Sequence, residues 1–251
     1  MRTALRLVAF VVLFVIVAVL MAPAAWLDSV LAARTQQRLR LADAHGVWWN
    51  GSGEIATADG DARVPLAWHV TLAPLVRGEL VVDLVPRGNG APSGRVRVRR
   101  DAVDVHDLHV RAPAGVVFAF VPTAKTLAWG GEIALQSPEF AWHERTVSGT
   151  LDARWNGARV VAGMLALDLG TVTLSSAPNA ADPAPALTAV VRNAGGDVAI
   201  DGTITDRDGA VDVALSLAPT TAAPAAIGQL LPLIGARDAD GRAQFRWRSD
   251  R

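Results

Sequence analysis

Residues 64–72 read VPLAWHVTL and alternate along their whole length between large apolar side chains and small or polar ones. Successive side chains of a β-strand lie on opposite faces, so the large residues share one side of the strand. They are Val64, Leu66, Trp68, Val70 and Leu72. A period of two in a run of this length predicts a half-buried strand. We therefore expect the surrounding domain to be built on a β-sheet with one apolar face.

Short runs of the same kind recur on both sides of this strand, separated by Gly, Pro, Asn and Asp. Regular spacing of short strands and turns is typical of all-β domains. The sequence predicts a mainly β, antiparallel domain, either a curled sheet or a sandwich. The further candidate strands are 39–42, 79–85, 95–99, 103–110, 131–136, 140–143, 146–155, 162–169, 171–175, 187–192, 197–205, 211–217 and 242–248.

Three local features refine this prediction. The apolar phase changes across Asp107, which indicates a bulge or a turn there. The sequence Asp206-Arg207-Asp208-Gly209 separates two strand candidates and predicts a hairpin. Residues 222–234 carry apolar side chains at helical spacing and predict a short C-terminal helix, although Pro232 interrupts it.

The N-terminal stretch from Leu7 to Ala25 contains no charged and no polar side chain. A helix of about 20 apolar residues crosses a bilayer core of about 30 Å, so this stretch predicts a transmembrane helix. Trp26 follows it, at the position where an indole suits the membrane interface. A cleaved signal peptide is the alternative, because Arg2 and Arg6 precede the apolar run and Ala22-Pro23-Ala24 resembles a cleavage site.

These observations divide the chain into three parts. Residues 1–27 form a short tip and the membrane anchor, and residues 28–38 form a juxtamembrane helix or linker. Residues 39–251 form the β-rich domain. Arginines on both sides of the span leave its orientation open, since the positive-inside rule requires an asymmetry.

Composition excludes several classes of function. The 251 residues carry 24 basic and 24 acidic side chains, so no cationic surplus is present to bind nucleic acid. The chain has no Cys, which excludes disulfides, thiolate nucleophiles and Cys-based metal sites.

The search for chemistry finds no enzyme signature. His106 and His109 form the tightest histidine pair, but residues three apart on a regular strand diverge, so a metal site would require a turn at Asp107. Ser52 lies between glycines without the strand-to-helix context of a nucleophile elbow. Arg95, Arg97 and Arg99 give one strand a cationic face, which we interpret as solvated. We expect no catalytic, cofactor-binding or metal residues and no cofactor.

The sequence Trp48-Trp49-Asn50-Gly51-Ser52 suggests a strand that ends in a turn. Asn-Gly supplies the positive φ angles of a tight turn, so we place the turn at Asn50-Gly51 in preference to a glycosylation site. Adjacent strand residues point in opposite directions, which puts one indole in the core and the other on the opposite face.

The order of these features resembles the type II secretion system protein N family. The likeness extends from the N-terminal span through 46–53 and 66–68 to 72–80 and reaches the strand at 241–247. It implies an inner-membrane protein with a cytoplasmic N-terminus, a single span and a periplasmic β-rich domain. It implies an accessory, structural role in exporting folded proteins across the outer membrane, with other subunits of the secretion system as partners.

Two other functions remain open. A curled sheet with an apolar inner face could hold acyl chains, which would make the chain a membrane-anchored lipid-binding or lipid-transfer protein. An envelope hydrolase is the third class, and its residues would converge only in the folded chain.

Overall fold

The computed structural model describes residues 14, 17–88, 90–120, 127–144, 146–163, 165–178, 186–207, 209–221, 223–224, 227 and 235–249. Nine of the 19 residues of the predicted transmembrane helix, and most of the predicted C-terminal helix at 222–234, lie outside these residues. Within the described residues, no helix is both long enough and apolar enough to cross a membrane.

Among the described residues, three short helices have both ends defined: α1 (Trp26–Arg34), a 3₁₀ helix (Ala73–Arg77) and α2 (Ala114–Phe118). The first of them covers part of residues 28–38, for which the sequence predicted a helix or a linker. The strands are β1 (Leu39–Val47), β2 (Asn50–Thr57), β3 (Arg63–Thr71), β4 (Leu80–Leu84), β5 (Ser93–Val98), β6 (Ala102–Pro113), β7 (Ala128–His143), β8 (Thr146–Gly149), β9 (Asp152–Ala162), β10 (Leu165–Pro178), β11 (Ala186–Ala194), β12 (Val198–Arg207), β13 (Ala210–Pro219), β14 (Ala236–Arg237) and β15 (Ala243–Ser249).

In the described part of the chain, these fifteen strands form one open antiparallel sheet. Strands β1 to β7 lie side by side in chain order, and β9 to β13 continue that order, followed by β15 and β14. Strand β8 pairs with the end of β7. The mainly β, antiparallel prediction is confirmed, and of its two forms the structure has the single sheet.

The sheet curls, and its concave side holds the core. In β3, Val64, Trp68 and Val70 are buried on that side, as the alternation predicted. Fully buried Leu39 of β1 packs in one cluster with Val116 of α2, although β6 and β7 flank α2 in the chain. The curl therefore brings the first strands of the sheet against the middle of the chain.

The bulge expected at Asp107 is present. Arg95 pairs with His106, whereas Ser93 pairs with His109, so β6 contains one more residue than β5 between these two pairs. Asp107 has φ +48°, an angle that Asp tolerates better than most residues. The predicted hairpin is also confirmed by the pairing of Arg207 with Ala210.

The first hairpin differs from the prediction. The turn residues are Trp48 and Trp49, and Val47 pairs with Asn50 across them. Asn50 and Gly51 lie in β2, so the turn predicted at Asn50-Gly51 is wrong. A Cβ atom on Gly51 would lie 2.7 Å from the ring of Trp68, and the missing side chain therefore makes room for that indole.

Candidate interaction site

The two turn tryptophans bind the end of the N-terminal apolar segment. The indole Nε1 of Trp48 donates a hydrogen bond to the carbonyl oxygen of Val19 over 2.7 Å, and Nε1 of Trp49 donates to the carbonyl of Leu20 over 2.9 Å. Residues 17–20 are helical, and the last carbonyls of a helix have no partner within it, although the carbonyl of Val19 also accepts a hydrogen bond from Ala22 N over 3.2 Å. An indole is a donor without acceptor capacity, so it suits such carbonyls. We call Trp48 and Trp49 the tryptophan clasp.

Backbone contacts extend this attachment along the segment. Trp48 N donates to the carbonyl of Ala22 over 3.1 Å, and Ala24 N donates to the carbonyl of Gly46 over 3.0 Å. Pro23 forms an isolated bridge with Val47, and Ala24 is fully buried. The segment thus joins the edge of β1 directly.

Strand β3 of the sheet donates hydrogen bonds to the backbone carbonyls of the clasp. Nε1 of Trp68 donates to the carbonyl of Trp48 over 2.9 Å, and Val70 N donates to the carbonyl of Trp49 over 2.6 Å. Both clasp rings pack against a core cluster with Leu27 of α1. Both rings are half-buried against this cluster, so the prediction that only one of them contacts the core is wrong. The Trp49 ring also lies edge-on to the ring of His69 on the opposite face, with 6.3 Å between the ring centroids, so that part of the prediction holds.

An ion pair fastens α1 to β1 close by. Asp28 Oδ1 accepts a hydrogen bond from Arg40 Nε over 2.9 Å and another from Leu41 N over 2.8 Å. The Arg40 guanidinium, as the main cause, and the Leu41 amide hold the pKa of the Asp28 carboxyl below its usual range. Helix and sheet are joined through this carboxylate.

The opposite, convex face of the sheet is polar. One row of directly paired residues crosses five strands: His69, Asp83, Arg95, His106 and Glu139. Arg95 Nε donates to Asp83 Oδ1 over 2.6 Å. The interpretation of the arginine face as solvated agrees with its exposure, since the Arg95 side chain remains 57% exposed within this pair.

The predicted candidates for chemistry do not converge. Divergence was expected only on a regular strand, and the Asp107 bulge lets His106 and His109 line the same shallow outer surface. Even so, no three His, Asp or Glu side chains in the described part of the chain are placed to hold a metal ion. Ser52 accepts a hydrogen bond from Arg87 Nη1 over 3.2 Å and pairs across β1 and β2 with His45, so it does not join His106 and His109.

Sequence reasoning missed the clasp. The sequence signal is a pair of adjacent tryptophans at the end of β1, two residues after Gly46, which has φ +87°. Asn50-Gly51 is the stronger turn motif, so the sequence pattern places the two tryptophans in a strand.

Fold and site together define a β-sheet protein whose N-terminal segment is fastened to its first hairpin. Residues 37–246 match the family model for type II secretion system (T2SS) protein N. The match covers most of the chain, which therefore belongs to that family, and the resemblance noted in the sequence is confirmed. The chain matches no curated protein and no solved structure.

Proposed function

We propose that this chain is a non-enzymatic, structural accessory of the type II secretion system. The N-terminal segment spans the inner membrane once, and the sheet lies in the periplasm. The tryptophan clasp is the observation that carries this proposal. It joins the apolar segment to the sheet without a flexible spacer, so the sheet is held at a fixed position relative to the segment.

The clasp also favours an anchor that is retained over a signal peptide that is cleaved. Cleavage after Ala24 would remove Ala22 and Pro23, which contact Trp48 and Val47. Ala24 itself is inaccessible in the folded chain. The folded state therefore uses the residues that a signal peptidase would discard.

The proposed mode of action is surface recognition. The polar row on the convex face presents Asp83, Arg95 and Glu139 together with two histidines over five strands, and such surfaces give specificity to protein contacts. Other subunits of the secretion system, which moves folded proteins across the outer membrane, are the proposed partners.

Topology is tested by cysteine labelling, because the chain contains no Cys of its own. Asp59→Cys in the β2–β3 turn and Thr3→Cys before the apolar run are treated with a membrane-impermeant maleimide after permeabilisation of the outer membrane. The proposal expects labelling at position 59 and none at position 3. Labelling at both positions, or an N-terminus at Ala25 in the purified protein, would contradict it.

The role in secretion is tested by deleting the gene and measuring exported proteins. We expect them to accumulate in the periplasm, and the intact gene to restore export. A photo-crosslinking residue at His106 on the convex face should capture another subunit of the system. Normal export together with no captured subunit would reject the accessory role.

One observation favours a lipid-binding function as a second candidate. Trp247 of β15 pairs with Val213 and lies on the same face of its strand as fully buried Ala243. Even so, the Trp247 residue is 50% exposed. Leu165 is 39% exposed at the same half of the sheet. Apolar side chains with this degree of solvent exposure could contact acyl chains. Native mass spectrometry of the purified chain would show retained lipid, and a lipid-free protein would exclude this function.

A further inference from the structure

We infer that the connection between β3 and β4 is a second membrane contact, in which Leu75 and Val76 enter the lipid interface beside the N-terminal segment. This inference rests on the proposed membrane anchor and adds a contact that the anchor does not require. The two residues lie in the 3₁₀ helix Ala73–Arg77.

Val76 is 92% exposed and Leu75 is 37% exposed. Exposure of an isolated apolar residue is ordinary, but here the backbone fixes both side chains outward. Gly78 adopts φ +76° and donates to the carbonyl of Leu75 over 3.0 Å, and Glu79 N donates to the carbonyl of Pro74 over 3.1 Å. The connection is therefore a closed, hydrogen-bonded turn and presents its apolar tip in one orientation.

The position of this turn relates it to the membrane. Asn50 pairs with His69, so the clasp at the start of β2 and the end of β3 lie at the same end of the sheet. Leu80, the first residue of β4, packs against the same core cluster as Trp48 and Trp49. The Leu75-Val76 tip thus projects from the end of the sheet to which the apolar segment is fastened.

This end of the sheet carries further exposed apolar side chains. Met21 is 71% exposed, Val19 53% and Trp26 59%. At the other end, the β2–β3 turn presents exposed Asp59, Gly60 and Asp61 instead. The contrast between the two turns is the one expected when one end faces lipid and the other faces water.

Arg77 directly follows the tip and is exposed. An arginine at this position can place its aliphatic stem along lipid while its guanidinium binds phosphate oxygens of the headgroups. A lipid surface accounts for the tip better than a protein partner does. The surface that two side chains can bury is far smaller than the roughly 800 Å² that each partner buries in a stable protein interface. Insertion of the same two side chains into the lipid interface would instead add to the membrane affinity that the anchor provides.

The test places single cysteines in the full chain, labels them with the environment-sensitive dye NBD, and reconstitutes the protein in nanodiscs of phosphatidylethanolamine and phosphatidylglycerol. Val76→Cys is the test position, Met21→Cys reports the anchor and Asp59→Cys is the control in the opposite turn. We expect brominated lipid to quench positions 21 and 76 and to leave position 59 unchanged. The thermal unfolding midpoint of the Val76→Cys protein should match that of the native chain, because the exposed Val76 side chain has few contacts to lose.

The outcomes separate the two proposals. Quenching at position 21 with none at position 76 would overturn this inference and leave the anchor in place. Quenching at neither position would reject the anchor itself. A blue-shifted dye at position 76 without quenching by brominated lipid would indicate a protein contact and would also overturn the inference.

Discussion

The indole Nε1 of Trp48 lies 2.7 Å from the carbonyl oxygen of Val19, which it reaches across 29 residues of sequence. Trp49 forms the equivalent bond with Leu20. These two bonds join the turn of the first hairpin to the end of the N-terminal helical stretch.

Replacing the donors should loosen this joint. Trp48→Phe keeps an aromatic ring but removes the N–H group, and a lost hydrogen bond of this kind costs about 0.5–1.5 kcal/mol. We expect the amides of Ala22 and Ala24 to exchange with solvent roughly 2- to 10-fold faster in hydrogen-exchange measurements. Trp26→Phe, which changes an indole that is 59% exposed, is the matched control and should leave these rates unchanged. Equal rates in all three proteins would show that the bond contributes nothing.

Gly46 should be intolerant of a side chain. Its φ is +87°, and a Cβ atom there would lie 2.5 Å from the carbonyl oxygen of Asn50. Gly46→Ala combines backbone strain of about 1–3 kcal/mol with this clash and should lower the urea midpoint of the full chain. Gly60 has a similar φ of +79° with no atom within 4 Å, so Gly60→Ala carries strain alone. If both variants lose the same stability, the contact with Asn50 is irrelevant.

Asn193 should be required where β10, β11 and β12 meet. Its Nδ2 donates to the carbonyls of Leu169 and Val198 over 2.9 and 2.6 Å, and its Oδ1 accepts from Ile200 N over 2.6 Å. Asn193→Ala leaves these backbone groups unpaired and should destabilise the sheet by roughly 1–3 kcal/mol in urea unfolding. Exposed Asn156→Ala provides the comparison and should change stability little. A neutral Asn193→Ala would mean that water replaces the amide without cost.

Asp28 should make stability depend on pH. The Arg40 guanidinium lowers its pKa in the folded chain, whereas the unfolded value is about 3.9. The carboxylate therefore favours folding above about pH 4, and this contribution is lost as the pH falls through the lowered folded-state pKa.

The stability of Asp28→Asn, followed by thermal unfolding from pH 7 to pH 2, should be below that of the native chain at neutral pH and converge with it in acid. The exposed pair Asp212–Arg248 supplies the control Asp212→Asn, whose curve should nearly overlay the native one. A gap between Asp28→Asn and the native chain that persisted at pH 2 would point to packing rather than charge.

Much of the fold could be predicted because its signals are local. Alternation in residues 64–72 set the face of β3, and the change of phase at Asp107 located a bulge, since both depend on neighbouring side chains. The hairpin at Asp206–Gly209 was predictable for the same reason. The turn at Trp48-Trp49 was not, because Asn50-Gly51 has the stronger local preference and contacts distant in sequence overrode it.

The sequence by itself determined that this protein is an antiparallel β-sheet behind an apolar N-terminal stretch, because periods of two and long apolar runs act within a few residues of each other. The tertiary structure decided how the two parts are joined. Trp48, Trp49 and Trp68 meet their carbonyl partners only in the folded chain, and no pattern along the sequence encodes which end of the sheet meets the segment. That choice depends on hydrogen bonds and packing between residues 20 to 29 positions apart.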